Sequence, residues 1–295
     1  VGTSLMWAMG VLLMIPITLM TLAKVQEIGE VLLGRRPKRL IDPQSPGALP
    51  ALPPKVSIHV PAYREPAEMV IRTLDSLAAL DYPNFEALII VNNTPEAEYK
   101  APVAARCAEL GVRFKYLDIV CTGFKAGALN IALEHTDPDA EIIAVIDADY
   151  AVEPDWLKDL VPAFADPKVA LVQAPQDHRD GEETVLKTLM NSEYAGFFDI
   201  GMIQRNEDNA IIQHGTMCMV RRSALDEVGG WGTDTIVEDT ELGLRLFEAG
   251  YHALYTNHRY GRGLLPDTYK AFKTQRFRWA YGAIQIMRKH WRHVM

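Results

Sequence analysis

Residues 142–151 read IIAVIDADYA, an apolar run that ends in two aspartates separated by one residue. The run predicts a buried strand, and in an extended chain Asp147 and Asp149 point to the same side. Paired carboxylates at the end of a strand suit a hard divalent cation such as Mg²⁺ or Mn²⁺, because these ions prefer oxygen ligands. Asp-x-Asp is also common by chance, so a polar turn after a strand is the alternative interpretation.

Alternating strands and helices surround this stretch. Val70, Leu74 and Leu77 recur at helical spacing behind Pro66, and Phe124–His135 is typical of a second helix. Strand–helix alternation predicts an α/β fold whose parallel strands are covered by helices. In such sheets ligands bind beyond the carboxyl ends of the strands, so the residues that follow each strand are the candidates for chemistry. The other predicted strands are 56–60, 87–91, 113–117 and 169–173.

Polar groups suited to a nucleotide follow the predicted strands. Pro61-Ala62-Tyr63-Arg64-Glu65 offers a flat ring, a guanidinium and a carboxylate, and Asn92-Asn93-Thr94 can hydrogen-bond a base or a ribose. Lys125 stands at the start of a predicted helix, where free backbone N–H groups attract phosphate. Each has a plainer interpretation as a turn or a solvated lysine. Together they predict nucleoside, phosphate and metal groups at one edge of one sheet.

A second group of candidate residues lies downstream. His214-Gly215-Thr216 comes first, and Val237-Glu238-Asp239-Thr240 then precedes apolar residues at helical spacing that end at Gly250. Asp239 is predicted at the start of that helix. Such an aspartate is either an N-cap or a functional acid, and the local sequence does not separate the two.

The last candidate group is Gln275-Arg276-Phe277-Arg278-Trp279, which combines an amide, two cations and an indole. Trp279 can stack on a sugar, and the cations can meet a diphosphate. The alternative is a basic amphipathic helix at a membrane surface, and the two interpretations are compatible. The neighbouring basic residues are Lys270, Lys273, Arg288, Lys289 and Arg292.

The N-terminal stretch is predicted to span a membrane. Residues 1–23 carry no charged side chain, and a helix of ~23 residues measures ~34 Å, which matches a bilayer core. Pro16 inside it predicts a kink. A buried core helix or a signal peptide fits less well, because the stretch is too long for the apolar region of a signal peptide and lacks a small-residue cleavage site. The basic flank that predicts a cytoplasmic side comprises Arg35, Arg36, Lys38 and Arg39.

Composition narrows the remaining possibilities. The formal net charge of −8 argues against a nucleic-acid partner. Cys107, Cys121 and Cys218 lack metal-ligand spacing and predict free thiols in a reducing compartment. Residues 41–54 contain five prolines and predict a linker.

From residue 56 to residue 291 the chain resembles processive family 2 glycosyltransferases, the family of cellulose, hyaluronan, curdlan and other β-glucan synthases. The resemblance implies a GT-A fold, in which a Rossmann-like mixed sheet is flanked by helices. The motifs that carry it, of which the last is the Q-x-x-R-W pattern, are Pro61–Glu65, Lys125–Gly127, Asp147-Ala148-Asp149, Glu238-Asp239 and Gln275–Trp279. The implied segments are a transmembrane helix at 1–23, a basic juxtamembrane and proline-rich segment at 24–54, the catalytic domain at 55–265 and an amphipathic interfacial helix region at 266–295.

The resemblance also implies an inverting transfer from a UDP-sugar donor, with Mg²⁺ or Mn²⁺ as the cofactor. Asp239 would be the general base, and Asp149 would bind the metal. The residues implied to bind the nucleotide sugar are Pro61, Ala62, Tyr63, Glu65, Asn93, Lys125, Asp147 and Asp149. The residues implied to form a gate around the acceptor and the diphosphate are Gly215, Thr216, Glu238, Gln275, Arg278 and Trp279.

The wording HVPAYREP at 59–66 with VNNTPEAEY at 91–99 is most similar to bacterial β-1,3-glucan synthases that make cyclic or periplasmic glucans. This implies UDP-glucose as donor, a growing β-glucan as acceptor, and a catalytic domain at the cytoplasmic face of a bacterial inner (plasma) membrane. Asn92-Asn93 is a departure, because many relatives carry two aspartates there. Lipid bilayer and further transmembrane helices or domains after Met295 are expected partners. The alternatives are a nonprocessive member that adds one sugar to a lipid carrier, and an inactive membrane-tethered nucleotide-binding module.

Overall fold

The computed structural model describes residues 2–34, 37–45 and 47–294, and it divides into two units at Lys38 and Arg39. The N-terminal unit contains helix α1 (Gly2–Leu32), which continues through Pro16. Its segment Met9–Glu30 has a mean hydropathy of 1.6 and is long and apolar enough to cross a membrane. The helix runs on past residue 23 to Leu32. Arg35 and Arg36 of the predicted basic flank lie outside the described residues.

The larger unit contains the remaining strands and helices. Its strands are β1 (Lys55–Ala62), β2 (Phe85–Asn92), β3 (Phe114–Ile119), β4 (Ala140–Val145), β5 (Ala151–Val152), β6 (Val169–Gln173), β7 (Cys218–Arg221), β8 (His252–Tyr255) and β9 (Gly261–Arg262). Its helices are α2 (Ala67–Ala78), α3 (Ala97–Leu110), α4 (Phe124–His135), α5 (Trp156–Leu160), α6 (Val185–Gly196), α7 (Met202–Glu207), α8 (Arg222–Glu227), α9 (Glu238–Glu248) and α10 (Tyr269–Val294).

Seven strands form one sheet in the order β3-β2-β1-β4-β7-β6-β8. Strand β7 runs antiparallel to both of its neighbours, β4 and β6, while the other pairs are parallel. The predicted α/β mixed sheet with flanking helices is therefore confirmed. The five predicted strands are β1, β2, β3, β4 and β6, and they all run in the same direction, as expected. The antiparallel strand, β7, was not predicted from the sequence. That strand has only four residues, and its direction is decided by the path of the preceding chain rather than by its own apolar pattern.

The sheet is buried on both faces because successive side chains of a strand point to opposite sides. In β2, Ile89 packs on one face with Leu74 and Leu77 of α2, and Leu88 packs on the other with Leu129 of α4. All five of these side chains are almost fully buried. The two apolar layers hold the carboxyl ends of β1, β2 and β4 at a common edge, where the candidate residues lie.

Strand β7 also brings its preceding loop to this edge. Because β7 is antiparallel to β4, Cys218 at its start pairs with Val145 at the end of β4. Gly215 and Thr216 therefore lie beside the carboxylate pair that follows β4. A second, two-stranded sheet pairs Ala151 with Arg262, which brings the segment after β9 to the same place.

Candidate active site

The turn that carries Asp147 and Asp149 is held by contacts from several elements. The Asp147 N–H donates to Thr216 Oγ1 at 3.0 Å, and the Thr73 hydroxyl of α2 donates to the Ala148 carbonyl at 2.7 Å. The Tyr150 N–H returns to the Asp147 carbonyl at 3.1 Å and closes the turn. The positions of Asp147 and Asp149 are therefore fixed by a backbone hydrogen bond within the turn and by hydroxyl groups from α2 and from the loop before β7.

Asp149 has one carboxylate oxygen engaged by backbone. Its Oδ2 accepts the Leu264 N–H at 2.8 Å, in the segment after β9. Arg179 donates to the Asp149 carbonyl at 2.5 Å and to the Arg262 carbonyl at 2.9 Å, so it joins the turn to that segment. Burial raises the pKa of Asp149 to about 6, and the negative charge of Asp147 adds to the shift. The carboxylate lies in a place that favours neutralisation by a proton or a cation.

Lys125, the second residue of α4, is the cation at the centre of the site. Its Nζ lies 2.5 Å from Asp147 Oδ1 and 2.6 Å from the Gly215 carbonyl oxygen. Burial alone disfavours the ammonium, but the carboxylates of Asp147 and Glu238 outweigh it and raise the pKa of Lys125. The lysine is therefore charged, and in this structure it is paired with Asp147 rather than pointing into solvent.

Close packing behind Lys125 depends on Gly127. A Cβ on Gly127 would lie 1.8 Å from the Thr122 carbonyl oxygen, a distance that no side chain tolerates. Glycine therefore lets the loop before α4 fold tightly against the first turn of the helix. This explains in physical terms why Lys125-Ala126-Gly127 works as a unit.

Asp239 faces Lys125 across Gly215. A Cβ on Gly215 would lie 3.0 Å from Asp239 Oδ2 and 3.0 Å from Lys125 Nζ, so both charged groups line the space beside that glycine. Asp239 lies in the first turn of α9, and its Oδ1 accepts the Thr240 N–H at 2.7 Å. The N-cap of α9 is Val237, so Asp239 does not have the capping position that the sequence left open.

The acidic pair Glu238-Asp239 is difficult to ionise fully. Burial raises the pKa of Glu238 to about 7, and the neighbouring Asp239 adds to the shift. Burial also raises the pKa of Asp239, while the Thr240 N–H and the charge of Lys125 lower it. Lys125 therefore favours the ionised form of Asp239, the form that can accept a proton.

The ends of β1 and β2 form the side of the site that the sequence assigned to the nucleoside. The Arg64 N–H donates to Thr94 Oγ1 at 3.0 Å and ties the two strand ends together. Ala62 is buried, whereas Tyr63 is 55% exposed. Burial raises the pKa of Glu65, and the charges of Asp149 and Asp147 add to the shift, so Glu65 lies close to the carboxylate pair. Pro61 is part of β1 and is half-buried.

Asn93 is engaged by backbone. Its Nδ2 donates to the Cys121 carbonyl at 2.9 Å, and its Oδ1 accepts the Cys121 N–H at 3.1 Å. These two bonds imitate a strand pair and hold the loop before α4. The expected contact between the Asn93 side chain and a nucleoside stays a prediction, and the observed hydrogen bonds show that this side chain also holds the backbone of Cys121.

Gln275 and Trp279 form a second contact group around Tyr194 of α6. Gln275 Oε1 accepts from the Tyr194 hydroxyl at 3.4 Å, and the Trp279 and Tyr194 rings meet edge to face with centroids 6.2 Å apart. The Arg276 guanidinium lies 4.2 Å from the Trp279 ring centroid and pairs with Glu193 at 2.9 Å. Arg278 is exposed. The structure thus brings Gln275 and Trp279 of α10 together against Tyr194 of α6.

The sequence interpretation missed a buried glutamine that supports the site. Gln173 at the end of β6 donates to the Thr216 carbonyl at 3.0 Å and the Met217 carbonyl at 3.2 Å, and it accepts the His214 N–H at 3.0 Å. It is fully buried. The signal was present as a polar residue that ends an otherwise apolar strand, at the edge where ligands bind. Arg179 and the Leu264 N–H carried no such signal.

The carboxylates of Asp147 and Asp149 suit a cation that takes most of its ligands from water and from phosphate oxygens. Within the described ranges, no three His, Cys, Asp or Glu side chains are grouped to cage a metal by themselves. Mg²⁺ characteristically uses one or two carboxylates and completes its shell with water and phosphate oxygens. Asp149, with one oxygen fixed by Leu264 and a raised pKa, fits such an ion.

Comparison with known proteins identifies the family. The family model described as "Glycosyltransferase like family 2" matches residues 53–282. A probable glucomannan 4-beta-mannosyltransferase of Oryza sativa is 29% identical over 89% of this chain and 53% of its own length. The cellulose synthase catalytic subunit (UDP-forming) of Xanthomonas axonopodis pv. citri is 31% identical over 83% of this chain and 34% of its own. The chain thus spans about half the length of the plant relative.

A solved structure shares the fold. The mannosyltransferase PcManGT of Pyrobaculum calidifontis, in complex with GDP-Man and Mn²⁺, superposes with a TM-score of 0.67 at 23% identity, over 91% of this chain and 74% of its own. S. aureus TarS in complex with UDP-GlcNAc gives a TM-score of 0.52 at 16% identity, over 72% of this chain and 59% of its own. With the family model covering residues 53–282, this chain belongs to the family 2 glycosyltransferases, enzymes of the GT-A fold that transfer a sugar from a nucleotide donor.

Proposed function

We propose that this chain is the catalytic part of a membrane-attached, inverting hexosyltransferase that extends a β-linked glycan from a nucleotide-activated hexose. The observation that carries the proposal is the arrangement around Gly215. Lys125 Nζ contacts both Asp147 and the Gly215 carbonyl, and Asp239 faces it across the same glycine. A cation, a metal-type carboxylate pair and a second acid thus share one site at the sheet edge.

Asp239 is the proposed general base. It takes the proton of the acceptor hydroxyl as that hydroxyl attacks the anomeric carbon from the face opposite the diphosphate. One such attack converts an α-linked donor into a β-glycoside, through a transition state with oxocarbenium character. Lys125 supports this role, because its charge lowers the pKa that burial has raised and so favours the ionised carboxylate.

Lys125 also has the chemistry to stabilise the leaving diphosphate. When donor binds, its ammonium can exchange the Asp147 contact for a phosphate oxygen without leaving the site, because Lys125 already lies beside Asp147 in the first turn of α4. Asp149, with Asp147 and Glu65 beside it, is the proposed holder of Mg²⁺ or Mn²⁺. A divalent cation bound there neutralises diphosphate charge.

The remaining predicted residues are given roles around these groups. The β1 and β2 ends, with the exposed Tyr63 ring, are proposed to receive the nucleoside. Thr216 supports the carboxylate turn through the Asp147 N–H. Gln275, Arg278 and Trp279 are proposed to cover the acceptor and the diphosphate once donor is bound. Trp279 is 40% exposed, so its ring has a free area on which a sugar can stack.

The identities of the donor sugar and of the product are further proposals. We propose UDP-glucose as donor and a β-1,3-linked glucan as product, on the basis of the amino-acid sequence at residues 59–66 and 91–99. The names of the relatives favour two rivals: a β-1,4-linked mannan and cellulose. The GDP-Man bound to the structural neighbour makes GDP-mannose the rival donor.

Attachment to a membrane is supported by α1 and α10. Met9–Glu30 of α1 has the length and hydropathy of a membrane span. The exposed apolar side chains of α10 include Phe277, Tyr281, Ile284 and Met287, and basic residues accompany them. We propose that α1 crosses the plasma membrane of a bacterial cell and that α10 lies along its cytoplasmic surface.

Membranes that carry this chain test the proposal. They are incubated with radiolabelled UDP-glucose or GDP-mannose, each with and without Mn²⁺, and the polymer is analysed for sugar, linkage and length. The proposal expects a metal-dependent polymer from one donor. A β-1,3-glucan from UDP-glucose supports the finer proposal, and a β-1,4-mannan from GDP-mannose replaces it. Failure to transfer from any nucleotide sugar, with Asp239 and Asp149 intact, would overturn the activity itself.

A further inference from the structure

One side of α10 carries a continuous stripe of functional and packing residues. Gln275, Arg278, Gly282, Gln285 and Lys289 follow one another at alternating intervals of three and four residues, which aligns them along a helix. The first two belong to the Q-x-x-R-W pattern. The last three contact residues 234–241, here called the base segment because it contains Asp239.

Gln285 contacts the base segment where α9 begins. Its Oε1 accepts the Ile236 N–H at 3.2 Å and lies 3.5 Å from the Thr235 hydroxyl. Thr235 Oγ1 in turn accepts the Val237 N–H at 3.3 Å. The N-cap Val237 offers no side-chain cap, and Gln285 and Thr235 accept the N–H groups of Ile236 and Val237 just before the helix.

Gly282 lets α10 approach that helix start closely. A Cβ at position 282 would lie 2.5 Å from both Cγ atoms of Val237, so any side chain there must displace α10 or the base segment. Val237 immediately precedes Glu238 and Asp239. A displacement of Val237 therefore passes directly to the two acids.

Glu241 fixes the orientation of α9 relative to α10. Its carboxylate is fully buried and pairs with Lys289 at 2.9 Å and with Arg245 at 2.8 Å. His290 lies 3.2 Å from the same carboxylate. Because a buried carboxylate needs its partners, the contacts with Lys289 and His290 of α10 hold this face of α9 against α10, while Arg245 pairs with the same carboxylate from within α9.

We infer that Gly282 and Gln285 are positioning residues for Asp239. They act through the backbone of Thr235–Val237, and they tie the base to the helix that carries Gln275 and Trp279. The inference rests on the proposed role of Asp239. It extends the functional part of α10 from Trp279 to Gln285.

Gly282→Ala is the first test, with Gly196→Ala as the matched control. Gly196 ends helix α6, and a Cβ there meets no atom within 4 Å. Alanine favours a helix more than glycine does, so neither variant is expected to weaken its helix. We expect Gly282→Ala to lower kcat on the order of 10- to 100-fold, because a misplacement of about 1 Å costs about that much. Donor KM and nucleotide binding by calorimetry should stay within about twofold, and Gly196→Ala should match the wild type.

A second substitution makes the test specific. In the Gly282→Ala, Val237→Ala double variant both Cγ atoms are gone and only the Val237 Cβ remains, 3.0 Å from the new methyl group. We expect the double variant to recover much of the lost kcat relative to Gly282→Ala alone. Such a coupling between neighbours is the signature of a contact rather than of general damage.

Gln285 is tested by a pair of substitutions of similar length. Gln285→Met removes the acceptor for Ile236 and Thr235, and Gln285→Glu retains it as a carboxylate at pH 8. We expect Gln285→Met to lower kcat about 10-fold and to speed hydrogen exchange at the Ile236 and Val237 amides. Gln285→Glu should keep slow exchange and most of the kcat.

The outcomes separate this inference from the proposed function. If the wild type transfers sugar and Gly282→Ala and Gln285→Met transfer equally well, the positioning role is wrong while the function stands. Loss in Gly282→Ala with no recovery in the double variant also contradicts it. If the wild type transfers nothing, the base assignment fails, and the inference fails with it. Unchanged exchange at residues 236 and 237 in Gln285→Met would overturn the contact itself without any activity measurement.

Discussion

The two acidic sites of this chain are supported in different ways. The carboxylate pair Asp147 and Asp149 follows β4 and is held by the sheet, by Thr216 before β7 and by the Leu264 N–H. The base segment lies at the start of α9, and side chains of α10, about 50 residues further along the chain, contact it at Ile236 and Glu241. The proposed donor site is thus part of the central sheet, whereas the proposed base, Asp239, lies in a segment that contacts a docked helix. Changes to the two regions should separate binding from transfer.

Asp239→Asn should give the largest loss of activity, and it should affect the base segment without affecting the carboxylate pair. The amide has nearly the same shape but cannot take a proton, and general-base catalysis contributes about 10²–10⁴-fold. We expect kcat to fall by that order, with nucleotide binding retained. Turnover and calorimetry on the same preparation check it. Near-normal turnover would show that Asp239 is not the base.

Asp149→Ala should instead affect the carboxylate pair and its proposed metal binding. Loss of the carboxylate is expected to weaken Mn²⁺-dependent nucleotide binding by at least about 10- to 100-fold, the range seen when even an outer partner of a metal ligand is lost. Calorimetry with UDP and with GDP, each with and without Mn²⁺, measures the change. Equal metal dependence in the variant and the wild type would remove Asp149 from the proposed metal site.

Gly215→Ala probes the place where the two regions meet. The added methyl group would lie 3.0 Å from both Asp239 Oδ2 and Lys125 Nζ, so one of the two must shift by a few tenths of an ångström. We expect a loss of kcat on the order of 10-fold with a small rise in donor KM. Gly196→Ala is again the matched control, since its methyl group meets nothing within 4 Å. Unchanged kinetics would mean that the charged groups adjust without cost.

The smallest expected effect is on the pH dependence of stability, through Glu238 of the base segment. Burial raises the pKa of Glu238 in the folded protein from 4.5 to about 7. The folded state therefore binds the proton more tightly than the unfolded state, so the contribution of Glu238 is most favourable below pH 4.5 and is lost as pH rises to about 7. Glu238→Gln should remove this dependence and stabilise the protein at pH 8 by on the order of 1–3 kcal/mol. Urea unfolding at pH 5 and pH 8 checks it, and equal curves for both proteins would contradict the burial argument.

The same contrast explains what could be predicted from sequence. Val169–Gln173 and Phe124–His135 were predicted with their observed bounds, because their apolar periodicity is local. The α/β class and the common edge of Asp147, Lys125 and the β1 and β2 ends followed from strand order in the chain. Strand β7 was missed, because four residues are too few to show a period and its direction depends on distant chain.

The candidate site residues show the same difference between what the local sequence predicts and what depends on tertiary contacts. Asp147, Lys125 and Asp239 were predicted from their motifs, whereas the pKa values of Lys125 and Asp239 depend on burial and on neighbouring charges that no motif encodes. Asn93 was expected to contact a nucleoside, yet its amide bonds both backbone groups of Cys121. Gln173, Arg179 and Gln285 act through residues more than 25 positions away, and spacing along the chain gives no sign of such contacts.

By itself the sequence determined the strands β1, β2, β3, β4 and β6, the helices α2, α4 and α9, and the chemical groups at their ends, because apolar periodicity and terminal residues act over a few positions. Tertiary structure alone decided which of those groups meet. Only the antiparallel return of β7 brings Gly215 beside Asp147, and only the docking of α10 brings Gln285 and Gly282 against the start of α9. The physical reason is that hydrogen bonds and close packing act over a few ångströms in space, without regard to distance along the chain.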